Sequence, residues 1–225
     1  MTAYQSPILM VDSVIMQLAN DQLQVLLIKR ANDPFQGMYA LPGGYIVAGE
    51  TTVSSHERIL GSKAGVEQQL LRLVEQLYTF DTVAGDPRGH GVSVTYMGLG
   101  IDINPRLGAE TQQPAFFAVN ALPRLAYDHA EIIAYAHERL KSKVNYTNAI
   151  YALLPVYFTL TQLQTAYEAI LCRPLDKRNF RKKFLSLDLI HETNEYQRDG
   201  AHRPARLFCF NAARLERSPR SFDER

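Results

Sequence analysis

Residues 41–66 read Leu41-Pro42-Gly43-Gly44-Tyr45-Ile46-Val47-Ala48-Gly49-Glu50-Thr51-Thr52-Val53-Ser54-Ser55-His56-Glu57-Arg58-Ile59-Leu60-Gly61-Ser62-Lys63-Ala64-Gly65-Val66. A glycine-rich lead-in runs into a segment with helix starters at Thr51 and Thr52. On a helix, residues three and four apart share a face, so side chains 59, 62 and 63 converge on one spot. The residues there are Ile59, Ser62 and Lys63: an aliphatic group, a neutral hydroxyl and a cation. A hard divalent ion needs oxygen ligands, preferably charged ones, and Lys63 would repel such an ion. Glu57 offers no substitute, because two residues from position 59 it points to nearly the opposite side of the helix. Gly61 inside the same helix costs about 1 kcal/mol relative to alanine. The stretch therefore predicts no metal site.

Outward from this segment, strands and helices mix. Residues 8–18 and 23–28 are rich in Val, Ile and Leu and flank the polar turn Ala19-Asn20-Asp21, which predicts a hairpin. Strands are predicted at 77–82, 92–103 and 115–119, and a helix from about Asp128 with Ile132, Ile133, Ala136 and Leu140 on one face. From residue 145 the pattern turns mostly helical. Thr161 with Gln164 has the form of a capping box, and Leu163, Ala166, Tyr167, Ile170 and Leu171 follow a helical stripe. Cys172-Arg173-Pro174 breaks that helix, a second follows over 176–187, and residues 189–196 and 205–210 read as a two-stranded ribbon with Gly200 at its tip. The fold class is α/β, with no internal repeat and two expected domains, 1–145 and 146–225.

Composition is that of an ordinary globular protein: 46% hydrophobic and 21% charged, with no apolar run approaching the roughly 18 residues of a membrane span. The start of the chain lacks the basic and apolar stretches of a secretory signal, and Cys172 and Cys209 are too few for a disulfide framework or a zinc site. A cytoplasmic protein, with no membrane partner, is the expectation. Charge is uneven along the chain. Residues 1–142 hold 10 Lys/Arg against 14 Asp/Glu, net −4, and residues 143–225 hold 14 against 9, net +5, so the C-terminal third is the part suited to a polyanion.

The spaced residues Gly44, Glu50, Arg58, Leu60, Gly65 and Val66, with the Leu41-Pro42-Gly43-Gly44 lead-in, resemble the Nudix box of nucleotide hydrolases. The resemblance implies a Nudix α/β/α sandwich at the N-terminus, in which the positions of Ile59, Ser62 and Lys63 would carry magnesium-binding glutamates. It also implies that Arg58 joins loop to helix. Val25-Leu26-Leu27-Ile28-Lys29-Arg30, Asn32-Asp33-Pro34-Phe35, Asp86-Pro87-Arg88-Gly89 and Tyr127-Asp128-His129-Ala130 resemble the Nudix branch that handles ADP-ribose. Candidate effector-binding residues are Arg30, Lys63 and Arg88 for phosphates and Phe35 or Tyr39 for stacking on a base or ribose. Gly43, Gly44, Glu50, Arg58, Asp128 and His129 complete the set. No catalytic residue and no cofactor is assigned.

In the second helix, Phe180, Phe184 and Leu187 share one face. Arg178, Arg181 and Lys182 point away from it, with Lys177 and Lys183 flanking. A helix after a short turn, followed by a ribbon, is the winged helix-turn-helix arrangement, with cations on phosphates and Asn179 placed to read bases. His202, Arg203 and Arg206 on the ribbon extend the candidate DNA contacts. Phe158-Thr159-Leu160-Thr161-Gln162-Leu163-Gln164, Asn179-Phe180-Arg181-Lys182-Lys183 and Gly200-Ala201-His202-Arg203-Pro204-Ala205-Arg206-Leu207 resemble the Nudix-related regulators of NAD metabolism, the NrtR family. That resemblance implies a homodimeric repressor of NAD-biosynthesis genes, released from double-stranded operator DNA by ADP-ribose or a related nucleotide. Two alternatives stand beside it: a pyrophosphohydrolase with unconventional ligands such as Glu50, Glu57 or Glu67, and a regulator answering to a sugar such as arabinose.

Overall fold

The apolar run near the start of the chain becomes two neighbouring strands, β1 (Ile8–Ala19) and β2 (Gln22–Arg30). Asn20 and Asp21 make the turn with φ of 51° and 59°, the left-handed pair that matches the twist of a tight hairpin. In the computed structural model, residues 6–82, 86–107, 111–198 and 204–212 are described. β1 is buried without a break from Val11 to Gln17, so its apolar residues do not alternate; a strand covered on both faces has no solvent side.

Two short strands follow, β3 (Tyr39–Ala40) and β4 (Gly43–Tyr45), then α1 (Thr52–Ala64). Three longer strands, β5 (Leu71–Thr82), β6 (Gly91–Gly100) and β7 (Thr111–Ala118), precede α2 (His129–Tyr146). The sheet runs β3-β2-β1-β6-β5, with β4 paired to β1 and β7 to β2. β1 and β6 are parallel, which sets Asp12 beside Thr95, and the antiparallel β4 sets Gly43 opposite Asp12. The predicted strand 92–103 is therefore shorter at its end, and the predicted strands 77–82 and 115–119 begin earlier than their apolar cores.

α1 is framed by its sequence. Thr51 caps it reciprocally with Ser54, and Gly65 ends it in the left-handed region at φ 60°, where a Cβ would sit 2.7 Å from that of Arg106. Leu60 and Ala64 pack with Ile15, Leu26, Ile28, Val66 and Ile103. Ile59 packs separately with Val11 and Tyr96. On α2, Ile132, Ile133, Ala136 and Leu140 form the buried stripe expected from their spacing, and Val144 extends it.

Contacts divide the chain into two units, one of Met1–Gln17 and Gln24–His137, the other of Leu18–Leu23 and Glu138–Arg225. In the second, α3 (Leu160–Leu171) and α4 (Lys177–Leu185) precede a ribbon of β8 (Ile190–Gln197) and β9 (Ala205–Phe210). The cap of α3 lies two residues before the predicted one. Thr159 and Gln162 make the capping box, because Thr159 is the last extended residue (ψ 156°) and Thr161 is already inside the helix. Cys172 ends α3 at φ 55°, and α4 stops short of the predicted residue 187. Tyr167 holds the helix pair together, its ring 5.4 Å from Phe180 and 5.7 Å from Phe184. Phe158 and Phe208 exchange backbone hydrogen bonds of 3.0 and 2.8 Å, tying the ribbon to the start of α3. No helix among the described residues is long and apolar enough to cross a membrane.

Candidate functional site

In the first unit, β1, β2, β4, α1 and the start of α2 surround a cavity of about 450 Å³, within the range of small-molecule sites. Its floor is polar. Asp12 is 7% exposed and accepts a 2.5 Å hydrogen bond from Ser93 Oγ, and His129 Nε2 lies 3.8 Å from its other oxygen. The backbone N–H of Leu41 donates to His129 Nδ1 at 2.8 Å, so a neutral ring carries its proton on Nε2, facing Asp12. Burial pushes the His129 pKa down, which keeps the ring neutral. Gly43 allows this floor to exist: a Cβ there would stand 1.8 Å from Asp12 Oδ1.

Four cations line the walls: Arg30, Arg58, Lys63 and Arg88. Arg58 grips Glu50 with two hydrogen bonds of 2.6 and 2.8 Å and donates a third, of 2.9 Å, to the Tyr45 carbonyl. Ser55 Oγ and the Val47 N–H also donate to Glu50. Arg58 above all, then Ser55, holds the Glu50 carboxyl down at about 2, so Glu50 is ionised and engaged in tying the loop to α1. Arg88 binds Asp86 at both carboxylate oxygens, donates to the Tyr45 hydroxyl, and lies 5.2 and 5.5 Å from the rings of Tyr45 and Tyr127. The Arg88 guanidinium lowers the Asp86 pKa, and Asp86 raises that of Arg88. Arg30 donates to the carbonyls of Pro34 (2.7 Å) and Asn32 (3.4 Å) and stands 5.0 Å from the Tyr127 ring.

Of the residues singled out in the sequence, Arg30, Gly43, Gly44, Arg58, Lys63, Arg88, Asp128 and His129 line this cavity. Three do not. Phe35 turns its ring edge-on to Tyr127, Tyr39 packs on Phe117 in the sheet, and Glu50 is engaged by Arg58 and Ser55, so packing and ion pairing take these three away from the wall. Sequence reasoning missed Met10, Asp12, Tyr45, Ser93 and Tyr127, which also line it. Asp12 carried a signal, an acid in the middle of an otherwise apolar strand; Ser93 carried none.

The residues do not fit a magnesium site. Ile59 is wholly buried against Val11 and Tyr96, Ser62 Oγ donates back to the Ile59 carbonyl at 3.3 Å, and position 63 is a cation. Glu57 and Glu67, like Glu50, are not gathered at the cavity wall. Among the described residues no group of three or more His, Cys, Asp or Glu side chains is placed to hold a metal ion.

The second unit presents a cationic surface. Asp176 caps α4, accepting from the Asn179 N–H at 2.8 Å, while Phe180 and Phe184 bury its inner face. Lys177, Arg178, Asn179 and Lys182 are exposed on the outside. Arg181 departs from expectation. It is half-buried and donates to Thr161 Oγ1 at 3.1 Å, because its long side chain lies back across α3 instead of standing in solvent. Arg206 pairs with Glu192 and donates to the Tyr196 hydroxyl at 2.8 Å, so an acid partly neutralises its charge. His202 and Arg203 lie outside the described residues.

A mixed sheet with a capped helix after Gly43-Gly44, and a basic helix pair with a ribbon, define the class: a Nudix domain joined to a DNA-binding winged helix. The NUDIX domain family matches residues 10–136, and the NrtR DNA-binding winged helix domain matches residues 150–210. The chain is 34% identical over 215 residues to the ADPR responsive transcriptional repressor NtrR of Acinetobacter baylyi, covering 92% of this chain and 83% of that one. It belongs to the NrtR family. Among solved structures it resembles Shewanella oneidensis NrtR complexed with a 27mer DNA (31% identity, TM-score 0.74, 90% of this chain and 93% of that one). It also resembles the NUDIX domain of the same protein complexed with ADP ribose (33% identity, TM-score 0.56, 61% and 90%).

Proposed function

We propose that this chain is a transcriptional repressor that holds operator DNA through α4 and lets it go when ADP-ribose fills the Nudix cavity. The cavity carries the reading. It combines three arginines and a lysine, suited to a pyrophosphate, with a buried carboxylate and a neutral imidazole, suited to ribose hydroxyls. Tyr45 and Tyr127 add aromatic faces. The Acinetobacter relative and the two Shewanella complexes support the same pairing of effector and DNA. With Ile59, Ser62 and Lys63 in place of the metal-binding carboxylates, the domain senses the nucleotide and does not cleave it.

The working form is a homodimer on a palindromic site next to NAD-biosynthesis genes, with half-sites about one DNA turn apart or a multiple of it. The effector acts by binding the DNA-competent and DNA-released arrangements unequally. The test is a mobility-shift titration of the full chain on its upstream DNA with ADP-ribose and, separately, arabinose. Retention relieved by ADP-ribose alone is the expected result. Retention that ignores ADP-ribose, or steady magnesium-dependent turnover of it, overturns the reading.

A further inference from the structure

Four cations face the cavity, and one of them, Lys63, stands on the face of α1 where the Nudix resemblance places metal ligands. Arg58 is bound to Glu50 at both oxygens, and Arg88 to Asp86 in the same way; each is matched by a carboxylate. Lys63 reaches the wall from the last turn of α1. Its Cε passes 3.8 Å from where a Gly44 Cβ would be, beside the Ile59 side chain at 3.4 Å, so the lysine stem runs along the glycine strand. The lysine thus rises on the same helical face whose other two positions, Ile59 and Ser62, have given up oxygen ligation.

We infer that Lys63 stands in for the divalent cation in this pocket, so that a pyrophosphate-bearing effector is held without a metal. The inference rests on the reading of the cavity as the effector site. A lysine ammonium is a compact, strongly hydrated point charge with three donors, able to meet non-bridging oxygens of both phosphates. Unlike an ion it cannot dissociate, so the affinity for the effector is decoupled from free magnesium. Magnesium riding on the ligand would bring a second cation beside Lys63 and find no carboxylate at positions 59 and 62. The site therefore prefers the metal-free nucleotide.

Calorimetric titration of ADP-ribose into the full chain, in EDTA and in millimolar magnesium, tests this. The expected result is binding in EDTA that magnesium does not tighten. Lys63→Met should weaken binding at least tenfold in both buffers, and Lys63→Arg should keep most of it; thermal melting of the free variants checks that both fold. Binding that needs magnesium, or that Lys63→Met leaves unchanged, overturns the inference while leaving the effector reading intact. No binding of ADP-ribose by the parent chain in either buffer overturns the effector reading itself.

Discussion

Acidification should strip stability from the first unit through one histidine that no function requires. His56 on α1 is wholly buried, stacked on Tyr96 with ring centroids 4.8 Å apart, and its Nδ1 lies 2.8 Å from Ser13 Oγ. Burial holds its pKa at about 4, against an ordinary 6.5, and outweighs the opposing effect of the Gln68 side chain. Above pH 6.5 the ring is neutral in folded and unfolded chains alike. Below it the unfolded chain takes up the proton first, so stability falls by about 1.4 kcal/mol per pH unit until the folded ring also protonates near pH 4. The loss reaches about 2 kcal/mol at pH 5 and about 3 kcal/mol in full. Urea denaturation at pH 7.5 and pH 5 measures it for the parent and for His56→Gln, in which this proton uptake is gone. His129, lowered in the same direction, contributes equally to both proteins and cancels. Equal losses in the two proteins refute the reasoning. If the variant does not fold, the ring resonances of the parent give the answer directly, and a His56 midpoint at 6 or above refutes it.

Replacing Lys177, Arg178 or Lys182 by alanine should weaken duplex binding and lower the slope of log K against log salt by about 0.9 for each phosphate no longer neutralised, read by fluorescence anisotropy. An unchanged slope in all three would take α4 off the DNA. Gly43→Ala places a Cβ 1.8 Å from Asp12 Oδ1, so the Asp12 carboxylate must shift; a destabilisation of about 1–3 kcal/mol is expected in thermal melts, together with weaker nucleotide binding. A variant as stable as its parent would contradict that close approach.

Much of this architecture was legible because it depends on local rules. The hairpin at Asn20-Asp21, the helix from Thr51 to Gly65 and the two-faced α4 each follow from neighbours within a few residues. The cavity floor was not legible, because Asp12, Ser93 and His129 are brought together by the parallel pairing of β1 with β6 and by the start of α2, which no spacing announces. Long flexible side chains also escape such rules. Helical periodicity puts Arg181 outward by its Cα direction, yet its guanidinium folds back to Thr161. Phe35 and Tyr39 have the right chemistry for stacking, but each already has an aromatic neighbour, Tyr127 and Phe117 respectively.

The burial of Ile59 works as a ratchet. An ion site on this helical face would need carboxylates at 59, 62 and 63 together, and any path of single substitutions passes through intermediates that lack the full set. The first of them, Ile59→Glu, would place an acid against Val11 and Tyr96, where an unpaired charge costs several kcal/mol and no cation has yet been recruited to offset it. The packing of Ile59 thereby opposes a charged ligand at that position. Change at the neighbouring arginines, by contrast, alters the charge that the cavity offers to an anion.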